Sequence, residues 1–310
     1  MRSKKNKIYV TIGDPAGCGP EVAVRAIDKL NDKSDICIVG DGAILSLLPV
    51  FKRIKNKVEF IDLNSRSAGN IKRGHPSKIT GKLAVSYIDK TLELIKNDKS
   101  AALVTAPVSK EAVQKNIPGF KGHTEYLAEA FNCCCPVMMM CSEKLKIVLL
   151  TRHVPLGKVK ESLLPSEIKS QIKIVHRSLK DDFKIKKPKI ALASVNPHAG
   201  INTFMLEEEN ILKKALKSVD IEIEGPFPAD TLFTPEKLKY YDCFLCSYHD
   251  QGMIPFKLLS FKTGVNLTCG LPVIRTSPAH GTAFDLMRVG KKPDCDSMYS
   301  AIKLVQRFFQ

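Results

Sequence analysis

IYVTIGDPAGCGPEVAVRAIDKLNDKSDICIVG, residues 8–40, is the stretch that decides the fold class. IYVTI (8–12) is a short apolar run rich in β-branched residues and reads as a strand. PEVAVRAIDKLN (20–31) places Pro20 in a first helical turn and Ala23, Ala26, Ile27 and Leu30 on one face, which predicts a helix. DICIVG (35–40) is strand-like again. The same alternation of apolar runs with amphipathic stretches continues down the chain and argues for an α/β protein with mainly parallel strands.

Further strands are predicted at 101–106, 146–151, 189–195, 243–247 and 265–269, and helices at 83–96, 166–180 and 204–217, with a helix start at 123–131. There is no internal repeat and no low-complexity linker. At 310 residues the chain exceeds most single cores and implies two domains. The expected division is 1–130 plus 280–310 for the first, discontinuous domain and 131–279 for the second.

Composition bounds the function. Apolar content of 44% and charged content of 26% are globular values. The basic start MRSKKNK is followed by too few apolar residues for a secretory signal, and CCCPVMMMC (133–141) is far short of a membrane span. A soluble cytoplasmic protein is expected, with no membrane partner. The net charge of +16 admits an anionic partner, either nucleic acid or a phosphorylated small molecule. The lysines are scattered, and no arginine-rich tail or aromatic-plus-basic RNA motif accompanies them. Solvated lysine faces account for most of the charge, and no nucleic-acid partner is expected. The ten cysteines show no disulfide spacing, and buried reduced thiols are expected. In a strand, Cys243 and Cys246 would point to opposite faces, which argues against a zinc ribbon.

Three places share one pattern. KIVLLT runs into Arg152-His153, KIALASV into Asn196-Pro197-His198, and CFLCS into Tyr248-His249. In each, a buried-type strand ends and a histidine follows. Ligands of open parallel sheets bind at the carboxyl ends of strands. Three converging imidazoles make a divalent metal site with an open fourth position. The competing reading is three unrelated loop histidines. His75 lies in a loop, and His176 reads as helix packing.

Other signals are weaker alone. GDPAGCGPE (13–21) is a glycine turn between strand and helix, but its G-x-x-x-G-x-G spacing is not the dinucleotide fingerprint. Gly122-His123-Thr124 opens a helix, where His123 or Thr124 can cap the free N–H groups or those groups can meet a phosphate. Lys257, Asn266 and Arg275 follow His249 in or beside strand-like segments, and Lys257 and Arg275 can hold a phosphate or carboxylate. HGTAFD (280–285) is a turn leading into a possible helix.

Taken together, GDPAGCGPE, TAPVSK (105–110), GHTEYLAE (122–129), RHVPL (152–156), NPHAG (196–200), GPFPADTLF (225–233), YHDQGMIPFK (248–257) and TSPAHGTAFD (276–285) make the chain resemble the 4-hydroxythreonine-4-phosphate dehydrogenase family of pyridoxal phosphate biosynthesis. The resemblance spans nearly the whole chain. It implies an α/β protein of two α/β/α domains with the isocitrate/isopropylmalate dehydrogenase-like fold and an active-site cleft between the domains. It also implies a homodimer with the active site at the subunit interface.

By the same resemblance His153, His198 and His249 bind one divalent metal per subunit (Zn²⁺, Mg²⁺ or Co²⁺). His123, Thr124, Lys257, Asn266 and Arg275 contact substrate. By analogy with the wider fold family, His280, Gly281, Thr282, Ala283 and Asp285 lie near NAD, or NADP. Lys257 is expected to hold an anion or donate a proton, and Asp250 to orient an imidazole. The implied reaction is oxidation of 4-phosphooxy-L-threonine by NAD⁺ and loss of CO₂ to give 3-amino-2-oxopropyl phosphate.

The chain departs from the family pattern on the cofactor side. Ala279 stands where Asp is usual. Met287-Arg288-Val289-Gly290 followed by KKPDCD replaces an A-G-x-G stretch. Cys18 replaces an aliphatic residue. Three alternatives stay open: a dehydrogenase of threonate or erythronate 4-phosphate, a metal-dependent hydrolase or isomerase that has lost NAD, and a basic nucleic-acid-binding protein. NADH formation and salt-dependent RNA binding discriminate among them.

Overall fold

The computed structural model describes residues 6–96, 98, 100–200 and 206–310. The chain divides into two compact units, residues 1–134 with 265–310, and residues 135–264.

In the first unit β1 (Lys7–Thr11), β2 (Ile36–Gly40), β3 (Glu59–Asp62) and β4 (Ala101–Thr105) are joined by β10 (Val265–Cys269) and β11 (Ile274–Pro278). Their order is β3-β2-β1-β4-β11-β10. β1, β2, β3, β4 and β11 pair in parallel, and β10 runs antiparallel to β11. β2 and β4 are buried at every position, which requires helices on both faces of the sheet. Helix Lys78–Ile95 packs on β1, β2 and β4, while helix Asp296–Phe308 packs on β10, β11 and helix Gly19–Asp28. Ser77 and Thr80 form a reciprocal capping box that starts helix Lys78–Ile95.

The second unit carries β5 (Val137–Cys141), β6 (Lys146–Leu149), β7 (Ile190–Ala193), β8 (Ile223–Phe227) and β9 (Cys243–Cys246) in the order β5-β6-β9-β7-β8. β6, β9, β7 and β8 are parallel, and β5 is antiparallel to β6. Helix His249–Ser260 lies against β6 and β9. It approaches closely at Gly252, where a Cβ would stand 2.7 Å from Ile147 Cγ2 and 2.8 Å from Leu149 Cδ2.

The strands expected at 8–12, 35–40, 101–106, 146–151, 189–195, 243–247 and 265–269 are present, most ending a residue or two earlier. The helix expected over 204–217 runs Glu207–Lys217; positions 204 and 205 lie outside the described residues. Helix His249–Ser260 was not expected. Its Gly252 and Pro255 are poor helix formers, and packing on β6 and β9 overrides them. The return crossing comes at 264/265 rather than at the expected 279/280, because β10 pairs along its length with β11, which pairs with β4. Asn266 and Arg275 thereby join His123 and Thr124 in the first unit. None of the ten cysteines forms a disulfide, and Cys243 and Cys246 are both buried in β9. No described helix is long and apolar enough to cross a membrane.

Candidate functional site

β6, β9 and β7 are adjacent and parallel, so their carboxyl ends fall on one edge of the second unit. His153, His249 and His198 follow those three ends. Side chains invisible to pattern reading tie the ends together. Thr151 Oγ1 donates to Ser247 O at 2.7 Å, and Ser247 Oγ donates to Ala193 O at 3.1 Å. Gln251, buried, accepts from Ser247 N at 2.7 Å and donates to Ser194 O at 2.6 Å. Glu209, fully buried, accepts from Asn196 N at 2.8 Å two residues before His198.

The His153 and His249 rings face each other with centroids 5.6 Å apart. The expected third ligand is not gathered with them: among the described residues no group of three or more His, Cys, Asp or Glu side chains stands close enough to hold a metal. Two observations nonetheless fit a cation. His249 Nδ1 donates to Asp250 Oδ1 at 2.7 Å, which leaves Nε2 as the lone-pair nitrogen. His153 and His198 both hold left-handed backbone, with φ of +47° and +54°. Non-glycine residues adopt it at a cost and cluster at functional sites. The donor set of imidazoles suits Zn²⁺ or Co²⁺.

Lys257 lies on the same helix, half-buried, with its ammonium 5.3 Å from the Phe261 ring centre. Burial lowers its pKa below the usual lysine value.

The other residues expected to contact substrate belong to the first unit. Of the six buried side-chain polar atoms without a partner among the described residues, three are His123 Nε2, Asn266 Oδ1 and Arg275 Nε. Unsatisfied buried polar atoms are costly and rare in folded proteins. These three fall on residues that the sequence analysis singled out as substrate contacts. Arg275 is fully enclosed. Its Nη2 donates to Thr105 Oγ1 at 2.6 Å and its Nη1 to Thr268 Oγ1 at 3.0 Å. Burial brings its pKa down to about 10, so it stays cationic at neutral pH. Burial first, then the charges of Arg275 and Lys110, push His123 well below the usual histidine range, leaving a neutral imidazole. Neither His123 nor Thr124 caps its helix; Gly122 is the N-cap, and no side chain bonds there. Thr11 Oγ1, also orphaned and buried, stands opposite Thr105 in the β1–β4 register. Thr11, Thr105 and Thr268 carried no signal of their own in the sequence.

On the loop after β11, His280 and Gly281 are exposed and Thr282 and Ala283 half-buried, and Asp285 is exposed in the first turn of helix Phe284–Arg288. A Cβ on Gly281 would meet nothing within 4 Å. Leu286 and Val289 expose apolar surface beside Asp285. An exposed carboxylate, which accepts hydrogen bonds from hydroxyls, thus stands beside apolar surface that a flat ring could cover. Ala279, in place of the usual Asp, is held through its N–H by Ser297 Oγ at 2.8 Å.

A cavity of about 370 Å³ lies at the opposite, amino-terminal ends of β7 and β8, lined among others by His176, Lys189, Glu224 and Tyr240. It contains none of the expected site residues, and its lysines are offset by Glu222 and Glu224.

The sequence model for the pyridoxal phosphate biosynthetic protein PdxA matches residues 15–305. A 4-hydroxythreonine-4-phosphate dehydrogenase of Desulforapulum autotrophicum is 36% identical over 98% of this chain and 96% of its own length. A candidate D-threonate 4-phosphate dehydrogenase of Oceanobacillus iheyensis is also 36% identical, over 97% of this chain and 98% of its own. The crystal structure of 4-hydroxythreonine-4-phosphate dehydrogenase from Klebsiella pneumoniae superimposes with a TM-score of 0.86 at 33% identity, covering 100% of both chains.

Proposed function

The chain belongs to the PdxA family of pyridoxal phosphate biosynthetic proteins, and on that premise we propose that it is a cytoplasmic, NAD-dependent and divalent-metal-dependent dehydrogenase. Its substrate is 4-phosphooxy-L-threonine. The secondary alcohol is oxidised to a ketone, and the resulting β-keto acid loses CO₂ to leave 3-amino-2-oxopropyl phosphate.

A bound nicotinamide supplies the hydride acceptor, and a divalent cation held by His153, His198 and His249 supplies Lewis-acid polarisation of the reacting hydroxyl. The rest is done by the chain's own side chains. Asp250 fixes the tautomer of His249 through Nδ1. Arg275, held rigid by Thr105 and Thr268, meets a substrate anion with a guanidinium that no water screens. His123 stays neutral beside it and offers Nε2 as a hydrogen-bonding atom without adding charge. Thr124 and Asn266 complete the polar lining. Lys257, with its lowered pKa, takes the hydroxyl proton during oxidation and returns one to carbon after CO₂ departs.

The observation that supports this reading most is the placement of three histidines after three adjacent parallel strands, with their loops bonded through Ser247 and Gln251. An apolar stripe on helix His249–Ser260 favours a homodimer. Ile254, Leu258 and Phe261 recur at helical spacing and are 67%, 84% and 73% exposed. Exposed apolar stripes of this kind mark subunit interfaces.

A second reading, a dehydrogenase of threonate or erythronate 4-phosphate, is favoured by the Oceanobacillus relative, which is as similar as the 4-hydroxythreonine enzymes. The test is NADH absorbance with NAD⁺, a divalent metal and either 4-phosphooxy-L-threonine or erythronate 4-phosphate. Turnover with the amino acid alone supports the first reading. Turnover with the sugar acid alone selects the second, and NADH from neither removes both.

A further inference from the structure

We propose that Arg288 is a positioning residue for the dinucleotide, a latch that fixes loop 280–285 through its guanidinium. The proposal rests on the reading of that loop as the cofactor loop.

The loop cannot hold its own shape. It feeds helix Phe284–Arg288, whose five residues are too few for a helix to stand alone. Ala283 sits in left-handed backbone at φ +47°, which a non-glycine residue keeps only where neighbours impose it.

Neighbours grip the front of the loop through the glycine turn. Cys18 N donates to Thr282 O at 2.8 Å, and Cys18 Sγ to Gly281 O at 3.4 Å. A Cβ on Gly17 would stand 3.0 Å from Thr282 O.

Arg288 closes the back. Its Nε donates to Gly74 O at 2.9 Å. Gly74 N in turn donates to Ala16 O at 2.7 Å. The approach is so close that a Cβ on Gly74 would fall 2.4 Å from Arg288 Cγ, and Gly74 also needs its φ of +78°. Arg73 reinforces the joint, touching Met287 Sδ at 3.1 Å while pairing with Glu21 at 2.5 Å. A closed ring results, from Ala16 through Gly74, Arg288 and Thr282 back to Cys18. Both members of the atypical Met287-Arg288 pair serve it.

The latch also reaches the ligand side. Arg288 Nη1 stands 3.5 Å from Asp285 Oδ1, and the Asp285 side chain is almost fully exposed. The same guanidinium that holds Gly74 thus also lies beside that carboxylate. An exposed carboxylate can accept hydrogen bonds from ribose hydroxyls.

The test is equilibrium binding of NADH followed by its own fluorescence; the chain has no Trp, so no indole emission overlaps. Wild type, Arg288→Ala and Arg288→Met are compared, the last keeping the aliphatic stem over Gly74 without the donors. Both variants are expected to weaken NADH about tenfold, the scale of one lost charge-assisted hydrogen bond. Exchange of the 282–287 amides should quicken, and KM for NAD⁺ should rise more than kcat falls. Wild-type melting should be retained, because the guanidinium is half-exposed. If either variant binds NADH within twofold of wild type, the latch is wrong while the cofactor loop stands. If wild type itself binds no NADH, the loop assignment falls and takes the latch with it.

Discussion

Gln251 Nε2 donates to Ser194 O at 2.6 Å, and the Oε1 of the same amide accepts from Ser247 N at 2.7 Å. One buried side chain thus joins the end of β7 to the end of β9, the strands that lead to His198 and His249.

Replacing Gln251 with Glu tests that joint. A carboxylate can accept from Ser247 N but has nothing to donate to Ser194 O, so two oxygens would face each other in a buried place. Metal affinity, measured by competition with a chelator, should fall about 10- to 100-fold, the range for lost support behind a metal ligand. Unchanged affinity would show that the strand ends do not set the histidine geometry.

Arg275→Lys probes the anion site. Lysine lacks the planar fork that reaches Thr105 and Thr268 at once. KM for the phosphorylated substrate should rise roughly 10- to 100-fold, with a smaller change in KM for NAD⁺. Equal rises in both would mean that Arg275 serves the fold and not the substrate.

Asp14 should make stability depend on pH. Burial pushes its pKa from 3.8 to about 6, against the hydrogen bonds it accepts from Ala16 N and Thr80 Oγ1. A raised pKa means the folded state holds the proton more tightly than the unfolded one. The contribution is therefore complete below pH 3.8 and is lost as pH rises to about 6. A shift of roughly two units corresponds to about 3 kcal/mol. Asp14→Asn should remove this slope: its urea stability relative to wild type should grow from pH 4 to 6 and then level off. A difference independent of pH would refute the assignment.

These residues also show what was legible in the sequence. The α/β alternation and the strands before His153, His198 and His249 could be read because buried parallel strands are continuous apolar runs. Helix His249–Ser260 could not, since Gly252 and Pro255 argue locally against it and only the close packing on Ile147 and Leu149 explains it. Gln251, Ser247 and Thr151 bond to carbonyls or amides made neighbours by the fold, which leaves no periodic trace. The 264/265 crossing has no linker composition because β10 enters directly into pairing with β11. The shared substrate role of His123, Asn266 and Arg275 came from the resemblance, and their orphaned atoms now give these residues a physical mark.

Leu258→Asp addresses assembly. Leu258 is central to the exposed stripe with Ile254 and Phe261, and a carboxylate there would be desolvated in any interface. Sedimentation velocity should show a dimer for wild type and a monomer for the variant, with turnover lost alongside. A wild-type monomer with full activity would contradict the dimer.

The most direct measurement is metal stoichiometry. Wild type and His198→Ala are titrated calorimetrically with Zn²⁺ and Co²⁺ after chelator treatment, with circular dichroism to confirm folding. The account predicts one ion per chain in wild type and no stoichiometric binding in the folded variant. Equal binding by both would remove His198 from the metal site, and with it the claim that three parallel strand ends build the catalytic centre.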